Sequence, residues 1–225
     1  MIRTQDTNTK TSALWFSLIL NLAVTVFSAV GTTINGSKNG FRMFQFYTVD
    51  SNIFAMLACA VYSVFLIRQL VTRRAVPVWA VLLKYAAVCC LLVTFLVVVA
   101  VLAPMFGPEG YQMMLFTGDM MYHHLLCPPL AALSFFLFDR MPWAPKRAAR
   151  FALLPTILYA VIIIILNLNG TITGPYPFLM VYQQPVYMSF LWCALILGGA
   201  YGIARLTAVV KLRISGSGSP ETSGE

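Results

Sequence analysis

The sequence predicts an all-α protein, a polytopic membrane bundle of six transmembrane helices with both termini in the cytoplasm. Three observations carry this. Hydrophobic residues make up 60% of the 225-residue chain and charged residues only 10%, where a soluble domain carries about 25% charge. The apolar residues gather into six runs, most of them near the roughly 20 residues that a helix needs to cross a bilayer. Lys and Arg collect at alternate ends of those runs. One side holds Arg3, Lys10, Arg68, Arg73, Arg74, Arg140, Lys146, Arg147, Arg150, Arg205, Lys211 and Arg213, and the other only Lys38 and Arg42. Twelve against two is the asymmetry of a positive-inside topology. The net charge of +8 is therefore a topology signal and not a nucleic-acid patch.

The first run is Ala13 to Val30, opened by Thr11-Ser12 and closed by Gly31, with one amide, Asn21, inside it. The segment before it, Met1 to Ser12, is polar, and no cleavage-like small-residue site follows the run, so it reads as a retained span. Gly31 to Phe41 reads as a loop, with Asn35-Gly36-Ser37 and Gly40 as its turn chemistry. Asn35 and Asn169 each open an Asn-x-Ser/Thr sequence on a predicted outer loop, where turn formation explains them unless the source is eukaryotic. The second run, Ile53 to Ile67, is about 15 residues and too short to span unless Thr48 to Asn52 belong to it. That arithmetic draws a polar cluster into the membrane.

The third run is Val78 to Ala103. Lys84, near its start, reads as a side chain snorkelling to the interface beside Trp79 rather than as the partner of a buried carboxylate. Pro104, Gly107, Pro108 and Gly110 then break the chain. The fourth run, about Met113 to Phe138, carries Asp119, His123, His124 and the kinking pair Pro128-Pro129. Asp139 to Arg150 reads as a basic, proline-containing loop. The fifth run is Phe151 to Leu166, and the sixth, Val186 to Leu206, follows a loop with three prolines. Residues 1–214 form one membrane domain. Ser215 to Glu225 is Gly/Ser-rich and reads as a flexible tail outside the fold.

Five cysteines, all inside apolar runs and odd in number, read as buried thiols with no disulfide framework. No metal or cofactor is expected: the two histidines are adjacent, so their rings diverge, and Asp119 with His123 would supply only two ligands. No repeat relates the two halves, which weighs against a transporter built from inverted repeats.

Polar groups at membrane depth are costly and mark function. Two such clusters stand out. In Tyr47-Thr48-Val49-Asp50-Ser51-Asn52, the spacing of three and four puts Thr48, Ser51 and Asn52 on one helix face, with Asp50 pointing elsewhere. In the fourth run, Asp119 and His123 stack one turn apart, and His124 is turned about 100° from His123. Thr48 lies about 7 Å nearer the outer surface than His124 at 1.5 Å rise per residue, so tilt or the Pro128 kink must close the gap. A threonine nucleophile needs a base within reach and a group that orients the base. Histidine, His123 or His124, suits the base. Asp119 is the candidate orienter of His123, and Asn52 or Ser51 the candidate donor to a developing oxyanion.

At these residues the chain resembles the androgen-induced protein family of six-span membrane proteins and its bacterial relatives. The likeness rests on three motifs: the aromatic-Thr-x-x-Ser-Asn element at Tyr47 to Asn52, a histidine shortly before proline in His123-His124-Leu125-Leu126-Cys127-Pro128-Pro129, and Thr173-Gly174-Pro175-Tyr176-Pro177-Phe178-Leu179 before the last span. The eukaryotic members are threonine hydrolases of fatty acid esters of hydroxy fatty acids. The resemblance implies an integral membrane lipid ester hydrolase, in the cell membrane if the source is bacterial. It places the nucleophile on Thr48, and its histidine falls on His124, four residues before Pro128, with His123 the alternative. Tyr176, Pro177 and Phe178 would form a substrate loop. A proton- or cation-coupled transporter using Asp50, Asp119 and the histidine pair is the alternative function, and a structural or assembly role a third.

Overall fold

The computed structural model describes the backbone of residues 2–216 and the side chains from residue 11 onward. It is an all-α bundle with six helices long and apolar enough to cross a membrane. In chain order the helices are α1 (Ile2–Asn39), α2 (Tyr47–Thr72), α3 (Val78–Met105), the short α4 (Gly110–Phe116), α5 (Gly118–Phe138), α6 (Pro145–Leu168) and α7 (Val186–Ile214). The protein is thus an integral, multi-pass membrane protein. The expected tail lies outside the described residues except for Ser215 and Gly216, which form the turn after α7.

α3 is the central helix. Of its most apolar stretch 61% is buried, against 22% for α6 and for α7, whose outer faces are left for lipid. The core where helices meet is rich in small side chains, among them Ala55, Ala58, Ala86, Ala87, Ala131, Ala149 and Ala204. Small residues let backbones approach closely where no water-driven hydrophobic effect separates helix from lipid. Larger groups fill the remaining gaps, such as Tyr85, whose hydroxyl donates to the Ala204 carbonyl at 2.6 Å.

Several boundaries correct the sequence expectation. α1 does not end at Gly31; it runs on to Asn39. Gly31 is there for closeness, since a Cβ at that position would meet His123 Nε2 at 2.6 Å. Asn35 is not a loop residue open to glycosylation, because its amide is buried and donates to Asp119 Oδ2 at 2.6 Å. These tertiary contacts outweigh the local turn preference of Asn-Gly-Ser. α6 begins at Pro145, so Lys146, Arg147 and Arg150 lie on its first turns and not in a loop. Proline fits there because the first helical N–H has no intrahelical acceptor to lose.

Lys84 is the largest correction. It does not snorkel; its side chain is fully buried and pairs with Asp139 at 2.7 Å. The ammonium also donates to Ser134 Oγ at 2.8 Å and lies 4.3 Å from the centre of the Tyr62 ring. Asn21 bonds the same serine at 3.1 Å, so α1, α3 and α5 are tied at one level. A charge stays in so dry a place only when it is paired and hydrogen-bonded.

Two π-helical turns interrupt the α-helices. Val98–Leu102 precedes Pro104 in α3, and Met121–Leu126 precedes Pro128-Pro129 in α5. The Ala103 N–H reaches back to the Val98 carbonyl, and the Cys127 N–H to Tyr122, one residue further than in an α-helix. Both turns sit where a proline has already removed a donor from the helical ladder.

Candidate active site

Thr48 is the second residue of α2. The chain enters that helix from the 3-10 turn Gly40–Gln45 through Phe46, which is extended and whose carbonyl accepts the N–H groups of Val49 and Asp50. Asp50, in the first turn, suits the positive end of the helix dipole. The Thr48 side chain points inward, at 9% exposure.

The π turn of α5 sets the histidines. His124 Nε2 lies 3.1 Å from Thr48 Oγ1. Its other nitrogen, Nδ1, lies 2.7 Å from the Met114 carbonyl on α4. A carbonyl only accepts, so Nδ1 carries the proton and Nε2 presents its lone pair to the threonine hydroxyl. A hydroxyl, an imidazole lone pair and a carbonyl that fixes the far ring nitrogen thus stand in sequence.

His123 faces the other way. It is fully buried against α1, and its Nε2 is 3.5 Å from Thr32 Oγ1. Asp119 does not orient it. That carboxylate is held by Asn35 at 2.6 Å and by Lys38 at 2.8 Å, which closes α1 onto the start of α5. The break between α4 and α5, at Thr117 and left-handed Gly118, leaves Asp119 in the first turn of α5, and the π turn that follows departs from the α-helical register expected for the fourth run.

Asn52 and Ser51 do not face the threonine hydroxyl as oxyanion donors. The Asn52 amide donates to the carbonyls of Thr48, at 2.8 Å, and His123, at 3.3 Å, so it fastens α2 to α5. Ser51 donates to the Thr48 carbonyl at 3.1 Å and pairs with Thr94 at 2.8 Å. Neither lines a cavity next to Thr48. The Asp50 carboxylate, half-buried, has no hydrogen-bond or ion-pair partner among the described residues.

Two cavities meet at Thr48. The larger, about 390 Å³, is bounded by Asn35, Phe46, Met114, Met120, His124 and Pro177. The narrower, about 60 Å³, is apolar and runs between α3, α6 and α7 past Val97, Tyr159, Phe178, Trp192 and Ile196. Thr48, Leu102 and Tyr176 belong to both walls.

The loop before α7 closes this junction. Tyr176 stacks on Phe178, with ring centres 5.1 Å apart and planes 11° off parallel, and Phe178 packs on Trp192. Gly174 has φ +97°, and a Cβ there would meet Asn167 Nδ2 and the Leu179 carbonyl, each at 2.7 Å. Only glycine satisfies both the backbone and the space. The loop brings the Tyr176 hydroxyl to 3.5 Å from the Thr48 N–H.

Sequence reasoning missed three groups: the Met114 carbonyl, Lys38 and Asn35. A main-chain carbonyl leaves no trace in residue type. Lys38 and Asn35 were hidden by the expectation of a loop. Among the described residues no three His, Cys, Asp or Glu side chains come together as a metal site. No protein-family model, curated protein or solved structure matches the chain.

Proposed function

We propose that the protein is an intramembrane hydrolase of lipid carboxylic esters, with Thr48 as nucleophile and His124 as base. The observation that carries this is the 3.1 Å contact between Thr48 Oγ1 and His124 Nε2, with Nδ1 fixed at 2.7 Å on the Met114 carbonyl. An isolated threonine hydroxyl is a weak nucleophile, and this contact supplies what it lacks.

The reaction runs in two halves. Thr48 Oγ bonds to the ester carbon while its proton passes to His124 Nε2. The tetrahedral intermediate collapses, the C–O bond to the alcohol breaks, and the leaving alkoxide takes the proton from Nε2. Water, deprotonated by the same nitrogen, then attacks the acyl-threonine, the bond from Oγ to the carbonyl carbon breaks, Thr48 Oγ takes back the proton from Nε2, and the acid is released. No metal or cofactor enters this scheme.

The surroundings fit a lipid. Both cavities are lined mostly by aliphatic and aromatic side chains, and they part at the nucleophile, so the two halves of an ester have separate places to lie. The resemblance of the motifs at Tyr47 to Asn52, His124 to Pro128 and Thr173 to Leu179 to those of the androgen-induced protein family implies fatty acid esters of hydroxy fatty acids as substrates. The distribution of Lys and Arg supports a site in the outer half of the bilayer.

The test is chemical labelling. A fluorophosphonate or reactive acyl-ester probe should modify the purified protein at Thr48, and labelling should disappear in Thr48→Ala and in His124→Gln. Labelling that persists undiminished in Thr48→Ala rules the mechanism out.

A further inference from the structure

Asn52 and Ser51 are committed to other partners, so neither meets the negative charge that an ester carbonyl develops. Two other donors converge beside Thr48. The first is its own N–H. It lies in the opening turn of α2, where N–H groups have no intrahelical acceptor, and its neighbours Val49 and Asp50 have already taken the Phe46 carbonyl. Its one partner is the Tyr176 hydroxyl at 3.5 Å, longer than a normal hydrogen bond of about 2.7–3.2 Å and so readily exchanged for a better acceptor.

The second donor is Tyr176 itself. No carbonyl or carboxylate among the described residues accepts its O–H in return. Its ring is fixed by Phe178 on one side and by the edge of Phe46 on another. Burial holds the phenol above its ordinary pKa despite hydrogen bonds from Thr48 and the Tyr47 main chain, so it keeps its proton. Both donors stand on the wall shared by the two cavities.

We propose that the Tyr176 hydroxyl and the Thr48 N–H form the oxyanion hole of this site, an assignment that rests on Thr48 being the nucleophile. The scissile carbonyl oxygen takes the space between them. As Thr48 Oγ bonds to carbon, the carbonyl pair moves onto oxygen and is held by both donors and by the positive end of α2. When that pair returns, the bond to the alcohol breaks. Tyr176 donates a hydrogen bond throughout and never gives up its proton. The loop before α7 is then part of the catalytic machinery and not only a cover, because the site is incomplete until Tyr176 is in place.

Tyr176→Phe deletes the hydroxyl and leaves the ring stack. With the purified protein and a p-nitrophenyl ester of a medium-chain fatty acid, kcat should fall ~100-fold with KM changed by less than about threefold. An alkyl trifluoromethyl ketone, which adds to a nucleophilic hydroxyl as a tetrahedral oxyanion, should bind the variant ~100-fold more weakly. The matching alkyl methyl ether, which carries no such charge, should bind it equally well. Tyr182→Phe, on the same loop but exposed and bonded to the Leu168 carbonyl, should match the parent.

Unchanged kcat and ketone affinity in Tyr176→Phe, with Thr48→Ala inactive, overturn this assignment and leave the nucleophile standing. Parallel loss of ketone and ether binding also overturns it, by showing that the hydroxyl only shapes the pocket. Full esterase activity in Thr48→Ala removes both the nucleophile and the oxyanion hole.

Discussion

At the scale of single residues, the pair Lys84 and Asp139 separates what a sequence shows from what it hides. The lysine was visible, but its partner lay beyond the end of another helix, and charges read along a line do not reveal which segments touch. Folded, both side chains are fully buried 2.7 Å apart. Removing one would strand the other in a dry core. Lys84→Met should destabilise the protein by about 3–5 kcal/mol, whereas Lys84→Met with Asp139→Leu should recover most of that loss. Thermal unfolding of the two variants in detergent measures the difference; equal midpoints would mean that water reaches the pair. The candidate site divides in the same way. Thr48 and the histidines were legible as chemical types at membrane depth. The partners of Asp119, Asn52 and Ser51 were not, because each hydroxyl, amide or carboxylate there serves a helix contact that only the folded chain creates.

At the scale of an element, the π turn of α5 decides which histidine meets Thr48. Hydropathy does not register one extra residue in a helical turn, so the sequence left His123 and His124 open. The cause, Pro128-Pro129, was in plain view. Restoring the missing donors with Pro128→Ala and Pro129→Ala should let the turn relax to α-helix and swing His124 by up to about 100°. The double variant should keep its helix content and its thermal midpoint, yet label at Thr48 ~100-fold more slowly. Undiminished labelling would show that the turn is ornamental. Helix ends were misjudged for a related reason. Asn35-Gly36-Ser37 and Pro145 carry local signals for turns, and packing against α5 and the favourable first-turn position of proline overrode them.

At the scale of the whole molecule, six spans and their order were legible because bilayer thickness fixes helix length and lipid fixes composition. The central place of α3 was not, since a run apolar all round is compatible with any position in the bundle. Charge counting goes one step further and predicts orientation. In a cysteine-free background, Phe41→Cys, on the exposed turn before α2, should react with a membrane-impermeant maleimide on intact cells. Arg73→Cys, at the opposite end of α2, should react only after permeabilisation. The reverse pattern would turn the site toward the cytoplasm.

His124 is steered by the main chain of residue 114, not by a carboxylate. Any amino acid placed at position 114 still offers that same oxygen. A saturation screen at this position would therefore report on the Met114 side chain, which lines the larger cavity, and not on the oxygen that the imidazole depends on. The residue type there can change without loss of the tautomer, and the dependence of the imidazole on that oxygen would be found by deleting or lengthening α4, never by exchanging one side chain for another.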